Sequence, residues 1–118
     1  MTTMQAVVHK ISYAIANENE ALLDFYIHEL EEATEEIIEV NLVYHDQPVG
    51  QLTETMLEPT IEELEDAVES GDWARVQERN QVMIQACNNC HNSTDYPEIV
   101  VTEKGELNPF NQDFSKRD

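Results

Sequence analysis

The chain holds two cysteines, Cys87 and Cys90, and a histidine, His91, directly follows the second. The run Cys87-Asn88-Asn89-Cys90-His91 has the spacing by which proteins attach a haem through two thioethers, with the adjoining histidine ligating the iron. The chemistry accounts for the spacing. Two vinyl groups on adjacent edges of a porphyrin need two sulfurs about one helical turn apart, while the imidazole approaches the iron from one face. On a helix Cys87 and His91 stand four residues apart and share a side, so sulfur and imidazole can address one ligand.

The same residues support other chemistry, and three alternatives stay open beside haem c. A structural zinc site could use Cys87, Cys90 and His91, but it needs a fourth ligand and there is no second cysteine pair. A thiol redox centre usually lowers a cysteine pKa at a helix N-terminus, whereas these cysteines fall toward a C-terminus, where the dipole disfavours thiolate. The third alternative is a chance occurrence within a structural helix. Other site classes find no support. A carboxylate-bridged di-iron bundle uses Glu-x-x-His on two helices, and none of His9, His28, His45 or His91 has a Glu three positions earlier. Gly50, Gly71 and Gly105 form no phosphate-binding loop, and Ser12, Ser70, Ser93 and Ser115 lie in no nucleophile elbow. The expectation is a binding protein rather than an enzyme.

The elements that must position the motif read as helices. Met4, Val7, Val8, Ile11, Ala14 and Ile15 form one stripe, with Thr2 or Thr3 as cap. After a turn at Asn17-Glu18-Asn19-Glu20, a second and longest stripe runs through Leu23, Tyr26, Leu30, Ala33, Ile37 and Val40. Asp46, Pro48 and Gly50 end it, and residues 51–57 are ambiguous between loop and helical turn. Thr60-Ile61-Glu62-Glu63, with Pro59 before it, is a capping box that starts a third helix, which runs through Leu64, Ala67 and Val68 to Gly71. Asp72 caps a fourth, carrying Trp73, Val76, Met83, Ile84 and Cys87 and ending near His91. The expected fold is all-α, an antiparallel up-down four-helix bundle over residues 1–101. Ile99-Val100-Val101 forms a short extended piece, and residues 102–118 a polar, loosely packed tail.

In such a bundle the end of the fourth helix lies beside the start of the first. Counted along the helix axes, Cys87 sits roughly 22 Å from its turn, level with Met4 and somewhat below His9, while His9 and His28 lie at a similar depth to each other, roughly 15 Å along. His9 is therefore the first candidate for a sixth iron ligand or a distal hydrogen-bond donor, with Met4 and His28 behind it. Met4, Val7 and Val8 are candidate wall residues. Met4 and Met83 also serve as plain core fillers, and His45, beside Asp46, is expected to be exposed.

The 118 residues make one domain. Its net charge is −19, from 25 Asp and Glu against 6 Lys and Arg, and no Lys or Arg occurs between Ile11 and Ala74. That field excludes nucleic acid as a partner, repels anionic membranes and steers a basic protein, such as a redox partner, toward the Glu-rich faces. Its plainer role is a solvated surface; a homodimer is the other association expected. No run of ~20 apolar residues exists, so no membrane insertion is expected. The first ten residues lack the basic and apolar regions of a secretory leader. Covalent haem attachment takes place outside the bacterial cytoplasm, so the expected location is the periplasm if haem is attached and the cytoplasm otherwise. A non-enzymatic acidic interaction module is the rival reading.

With these residues in view, the chain resembles a family of small bacterial helical c-type cytochrome-like proteins that carry haem close to the C-terminus. The matching segments are His9-Lys10 with Tyr13-Ala14, Phe25-Tyr26-Ile27-His28-Glu29-Leu30-Glu31-Glu32, Ala86-Cys87-Asn88-Asn89-Cys90-His91, and Pro97 with Ile99-Val100-Val101. The match spans roughly His9 to Val101, and within it only the Cys-His motif is specific chemistry. The overall plan is also similar to cytochrome c′, a four-helix bundle with the motif in its last helix. The resemblance implies thioethers at Cys87 and Cys90 and His91 as the proximal ligand. Glu98 departs from the apolar or aromatic residue expected after the proline.

Overall fold

A computed structural model describes residues 2–103 and 107–116. The described chain is helical, and its one strand-like feature is an isolated pairing between Tyr44 and Gln47. Helix α1 covers Thr2–Ala16, α2 Glu20–Glu39, α3 Val49–Leu52, α4 Glu58–Ser70 and α5 Trp73–Ser93, with a π-helical turn at Thr53–Leu57 joining α3 to α4. Helix α1 packs on α2 and α5, and α4 packs on α5 and α2.

The stripes bury as their spacing demands. Met4, Val8, Ile11, Ala14 and Ile15 of α1 meet Leu23, Tyr26, Ile27 and Leu30 of α2, Ile61, Leu64, Ala67 and Val68 of α4, and Val76, Met83 and Ile84 of α5 in one core. Ile27 belongs to that core although it falls beside the expected stripe, and Val40 lies past the end of α2 and is exposed. Asn80 reaches from α5 to donate to Ser12 Oγ of α1 at 3.1 Å inside this apolar packing.

The helix ends follow local chemistry. Asn19 caps α2 by accepting from the Leu22 amide, and Asp72 caps α5 by accepting from Ala74 and Arg75. Gly71 ends α4 at φ 77°, a left-handed conformation that glycine adopts without strain. The expected third helix starts earlier than its capping box suggests. Thr60 is no cap: its hydroxyl donates to the Leu57 carbonyl, and the ambiguous 51–57 stretch is helical from Val49 onward. Pro59 is tolerated because the preceding turn is π-helical, with the Glu58 amide bonding five residues back to Thr53, so the ladder is already shifted where the proline lacks its N–H. Gly50 is not a loop residue either. A Cβ there would stand 2.8 Å from the Leu42 nitrogen and 2.9 Å from the Ile37 carbonyl oxygen, so only glycine lets α3 press against the end of α2.

Of the loosely packed tail expected at 102–118, residues 104–106 and 117–118 lie outside the described residues, and the described stretch 107–116 is anchored on the core. Phe114 is buried and stacks on Tyr13 with centroids 5.1 Å apart, and Phe110 sets its edge against both. Asn19 donates to the Phe114 and Ser115 carbonyls, Tyr13 Oη donates to Leu107, and Gln112 donates to Tyr26 Oη. Two phenylalanines amid polar residues supply the apolar grip that composition conceals.

Between α2 and α4 the acidic faces meet. The Glu31 carboxyl is pushed up to about 7, first by burial, then by its hydrogen bond with Glu65, then by the charges of Glu65, Glu35 and Glu62. Burial and neighbouring carboxylates also raise Glu58 and Asp24. A folded pKa above the ordinary 4.5 means that the folded state binds this proton more tightly than the unfolded chain. Its contribution to stability is complete below about 4.5 and is lost as pH rises through about 7. Thermal unfolding should therefore show a melting temperature that falls between those pH values, and Glu31→Gln should flatten the fall. An unchanged profile in the variant would show that the raised Glu31 carboxyl is energetically idle. Gly50→Ala should destabilise the fold by about 1–3 kcal/mol through the forced backbone contact, as read by urea denaturation.

Candidate functional site

At the end of the core a hollow of about 540 Å³ opens between five segments. Met4, Gln5 and Val8 of α1 form one side; Leu42, Tyr44 and Gln47 come from the α2–α3 loop; Val49, Thr53 and Leu57 come from α3 and the π turn. Cys87, Cys90 and His91 of α5 face them, and Thr94, Tyr96, Ile99 and Val101 close the remaining side. The lining is mainly apolar, and its size falls within the range of about 300–1,000 Å³ usual for small-molecule and cofactor sites.

Each wall has a local cause. Positions 87, 90 and 91 share one face of α5 because three- and four-residue steps return to the same side of a helix. The α2–α3 loop is pinned by a tight turn in which Tyr44 and Gln47 exchange both backbone hydrogen bonds, at 3.0 and 2.9 Å. His45 and Asp46 take positive φ values of 49° and 66°, as a two-residue turn of this hand requires. After α5 the chain reverses through Asp95, at φ 68°, and returns along the helix. Asn88 donates to the Val101 carbonyl at 3.0 Å and accepts from the Val101 amide at 2.7 Å. His91 Nδ1 lies 2.8 Å from the Ile99 carbonyl oxygen. A carbonyl can only accept, so Nδ1 is the donor in this contact, the arrangement by which ligating histidines are oriented.

The thiols are poor candidates for redox chemistry. Burial first, and the neighbouring Cys90 second, push Cys87 up to about 11, against a smaller opposing effect of a backbone hydrogen bond. Burial also raises Cys90. Thiolate is the reactive form, and burial disfavours it at both positions, outweighing the hydrogen bond at Cys87. Among the described residues no three His, Cys, Asp or Glu side chains converge where they could hold a bare metal ion.

Of the residues expected at the site, the structure brings Cys87, Cys90, His91 and Met4 together on one hollow. It leaves His9 and His28, the other expected ligands or distal donors, off the lining of that hollow. His9 lies against Phe110 of the C-terminal segment, centroids 6.4 Å apart, and His28 is exposed on α2, its Nε2 2.9 Å from Glu32 Oε1. Depth along a helix axis says nothing about which way a side chain faces. Val8 lines the hollow but Val7 does not. His45 is exposed, set edge-on to Tyr44. Sequence reasoning missed Tyr44 and Tyr96, whose rings meet 6.2 Å apart beside the hollow, and assigned no role to Asn88.

Compared with family models, with curated proteins and with solved structures, the chain finds no match.

At pH 7.5 Cys87 should alkylate about 10-fold more slowly than an unperturbed thiol, because burial pushes its pKa up to about 11 and the scarcer thiolate is only partly offset by its greater nucleophilicity. Peptide-resolved iodoacetamide labelling measures this. Labelling of Cys87 faster than a free thiol would restore the thiol-redox alternative.

Proposed function

We propose that the chain is a haem c-binding protein acting in electron transfer or in binding of a small gas. The observation that carries the reading is that Cys87, Cys90 and His91 all face one apolar hollow, with His91 Nδ1 occupied by the Ile99 carbonyl and Nε2 left as a donor atom. The residues fit the group. Two thiols on one helical face would hold the porphyrin edge, His91 would ligate the iron, and the aliphatic walls would cover the macrocycle and keep water away. The haem itself supplies one-electron chemistry or an open position for a gas.

Within the hollow, Met4 offers a thioether of the kind that ligates iron in electron-transfer cytochromes. Its engagement would favour electron transfer, and a free sixth position would favour gas binding. The up-down antiparallel bundle belongs to the same reading, because it sets the motif end of α5 beside the start of α1. The acidic surface suits a basic redox partner, and the chemistry of haem attachment suits the periplasm.

Expression behind a secretion leader with haem-maturation machinery tests the proposal. The intact mass should rise by one haem, and the visible spectrum should be that of a c-type centre. Cys87→Ser with Cys90→Ser should abolish covalent attachment, and His91→Ala should retain the mass but change the spectrum. A chain recovered at its bare mass under those conditions sinks the proposal and leaves the acidic interaction module as the better account.

A further inference from the structure

We infer that Asn88, between the two cysteines, is a positioning residue that sets the tautomer and orientation of His91 by clamping the returning 99–101 segment against α5; its functional meaning rests on the haem reading above.

Asn88 makes a two-point contact with one residue: its amide donates to the Val101 carbonyl and accepts from the Val101 amide. A carboxamide has the donor and acceptor of a peptide group, so it occupies the place of a neighbouring strand. One turn along α5, His91 meets Ile99, two residues earlier on the returning chain. The registers match. Residues three apart on a helix share a face, and alternate residues of an extended chain turn the same edge the same way. Positions 88 and 91 therefore read 101 and 99 as an antiparallel pair.

The two contacts are not equivalent in what secures them. Val101 is buried, whereas the Ile99 and Val100 side chains are 44% and 62% exposed, so packing does little to fix the Ile99 carbonyl. Its backbone is held on two sides, by the Ile99 amide's bond to the Tyr96 carbonyl at 3.1 Å and by Val101, which Asn88 holds. Among the described residues the side chain of Asn89, the other residue between the cysteines, accepts from Gln85 on the exposed side of the helix. The amide of residue 88 thus secures the C-terminal side of the acceptor that engages His91 Nδ1, the side that the turn at Tyr96 does not hold. Without that acceptor, neutral imidazole in water favours the opposite tautomer, which places the proton on the nitrogen a metal would need.

The test uses the full chain without haem, its histidine side chains labelled with 15N, at about pH 8, where a histidine of ordinary pKa is neutral. The 15N shifts report which ring nitrogen is protonated. In the native sequence His91 should be protonated at Nδ1. Asn88→Ala should move it to a mixture dominated by the Nε2 form, while His9, His28 and His45 stay unchanged. Asn88→Asp keeps an acceptor for the Val101 amide and should retain part of the native tautomer. Val101→Ala thins the wall but leaves its backbone clamp intact and should retain all of it. Circular dichroism reports folding, and Asn88→Leu, near in size and a better helix former, replaces the alanine variant should that one unfold.

An unchanged His91 tautomer in a folded Asn88→Ala or Asn88→Leu chain overturns the inference. So does an equal shift in Val101→Ala, which would reduce Asn88 to packing. In haem-loaded protein the Asn88→Ala variant should also show a more positive reduction potential, because an imidazole that no longer donates from Nδ1 is a weaker base toward iron. An unmoved potential would refute that consequence. Failure to load haem refutes the proposed function and leaves the tautomer result standing, so the two failures are distinct.

Discussion

Ile11, Leu23, Ile27, Leu30, Ile61, Leu64 and Met83, all fully buried, hold together helices whose own charges push them apart. Each such side chain contributes about 1.5–3 kcal/mol by leaving water. Against this stand a net charge of −19 and, between α2 and α4, carboxyls packed closely enough that burial and the neighbouring Glu65, Glu35 and Glu62 push Glu31 up to about 7. The positions of α1 and α5 follow from that core, since Ile11 and Met83 belong to the same cluster as Leu23 and Leu64.

The hollow is where this core runs out. Beyond Val8 and Leu57 the helices no longer fill the space between them, and the chain closes it with loops rather than with a further helical layer. Gly50 presses α3 onto the end of α2, the Tyr44–Gln47 turn projects one wall, and Asn88 and His91 draw the 99–101 segment back along α5 for another. Backbone groups that a loop would otherwise leave to water are satisfied here by side chains of the motif helix. Two hydrogen-bonding residues of the Cys-Asn-Asn-Cys-His run are therefore part of the pocket's construction as well as its chemistry.

Much of the helical plan was legible because it rests on local physics. The three-four spacing from Met4 to Ile15, the Asn19 and Asp72 caps and the Gly71 stop all act within one or two turns of chain, where residue identity alone decides the outcome. The misreadings come from competition between local signals and distant partners. The capping-box pattern at Thr60 was overridden by a helix already under way from Val49, and the polar composition of 107–116 hid two aromatic anchors that bind to Tyr13 nearly a hundred residues earlier.

For the site, sequence by itself determined that Cys87, Cys90 and His91 would share one side of a helix, because helical periodicity is a property of the backbone. It also determined that the surface would be strongly acidic. Only the tertiary structure decided that this side would face a hollow, that Met4 would stand there and His9 and His28 would not, and that the Ile99 carbonyl would engage His91. The reason is physical: distance along a helix is fixed by rise per residue, but the direction a side chain faces toward other elements is fixed by how the core packs.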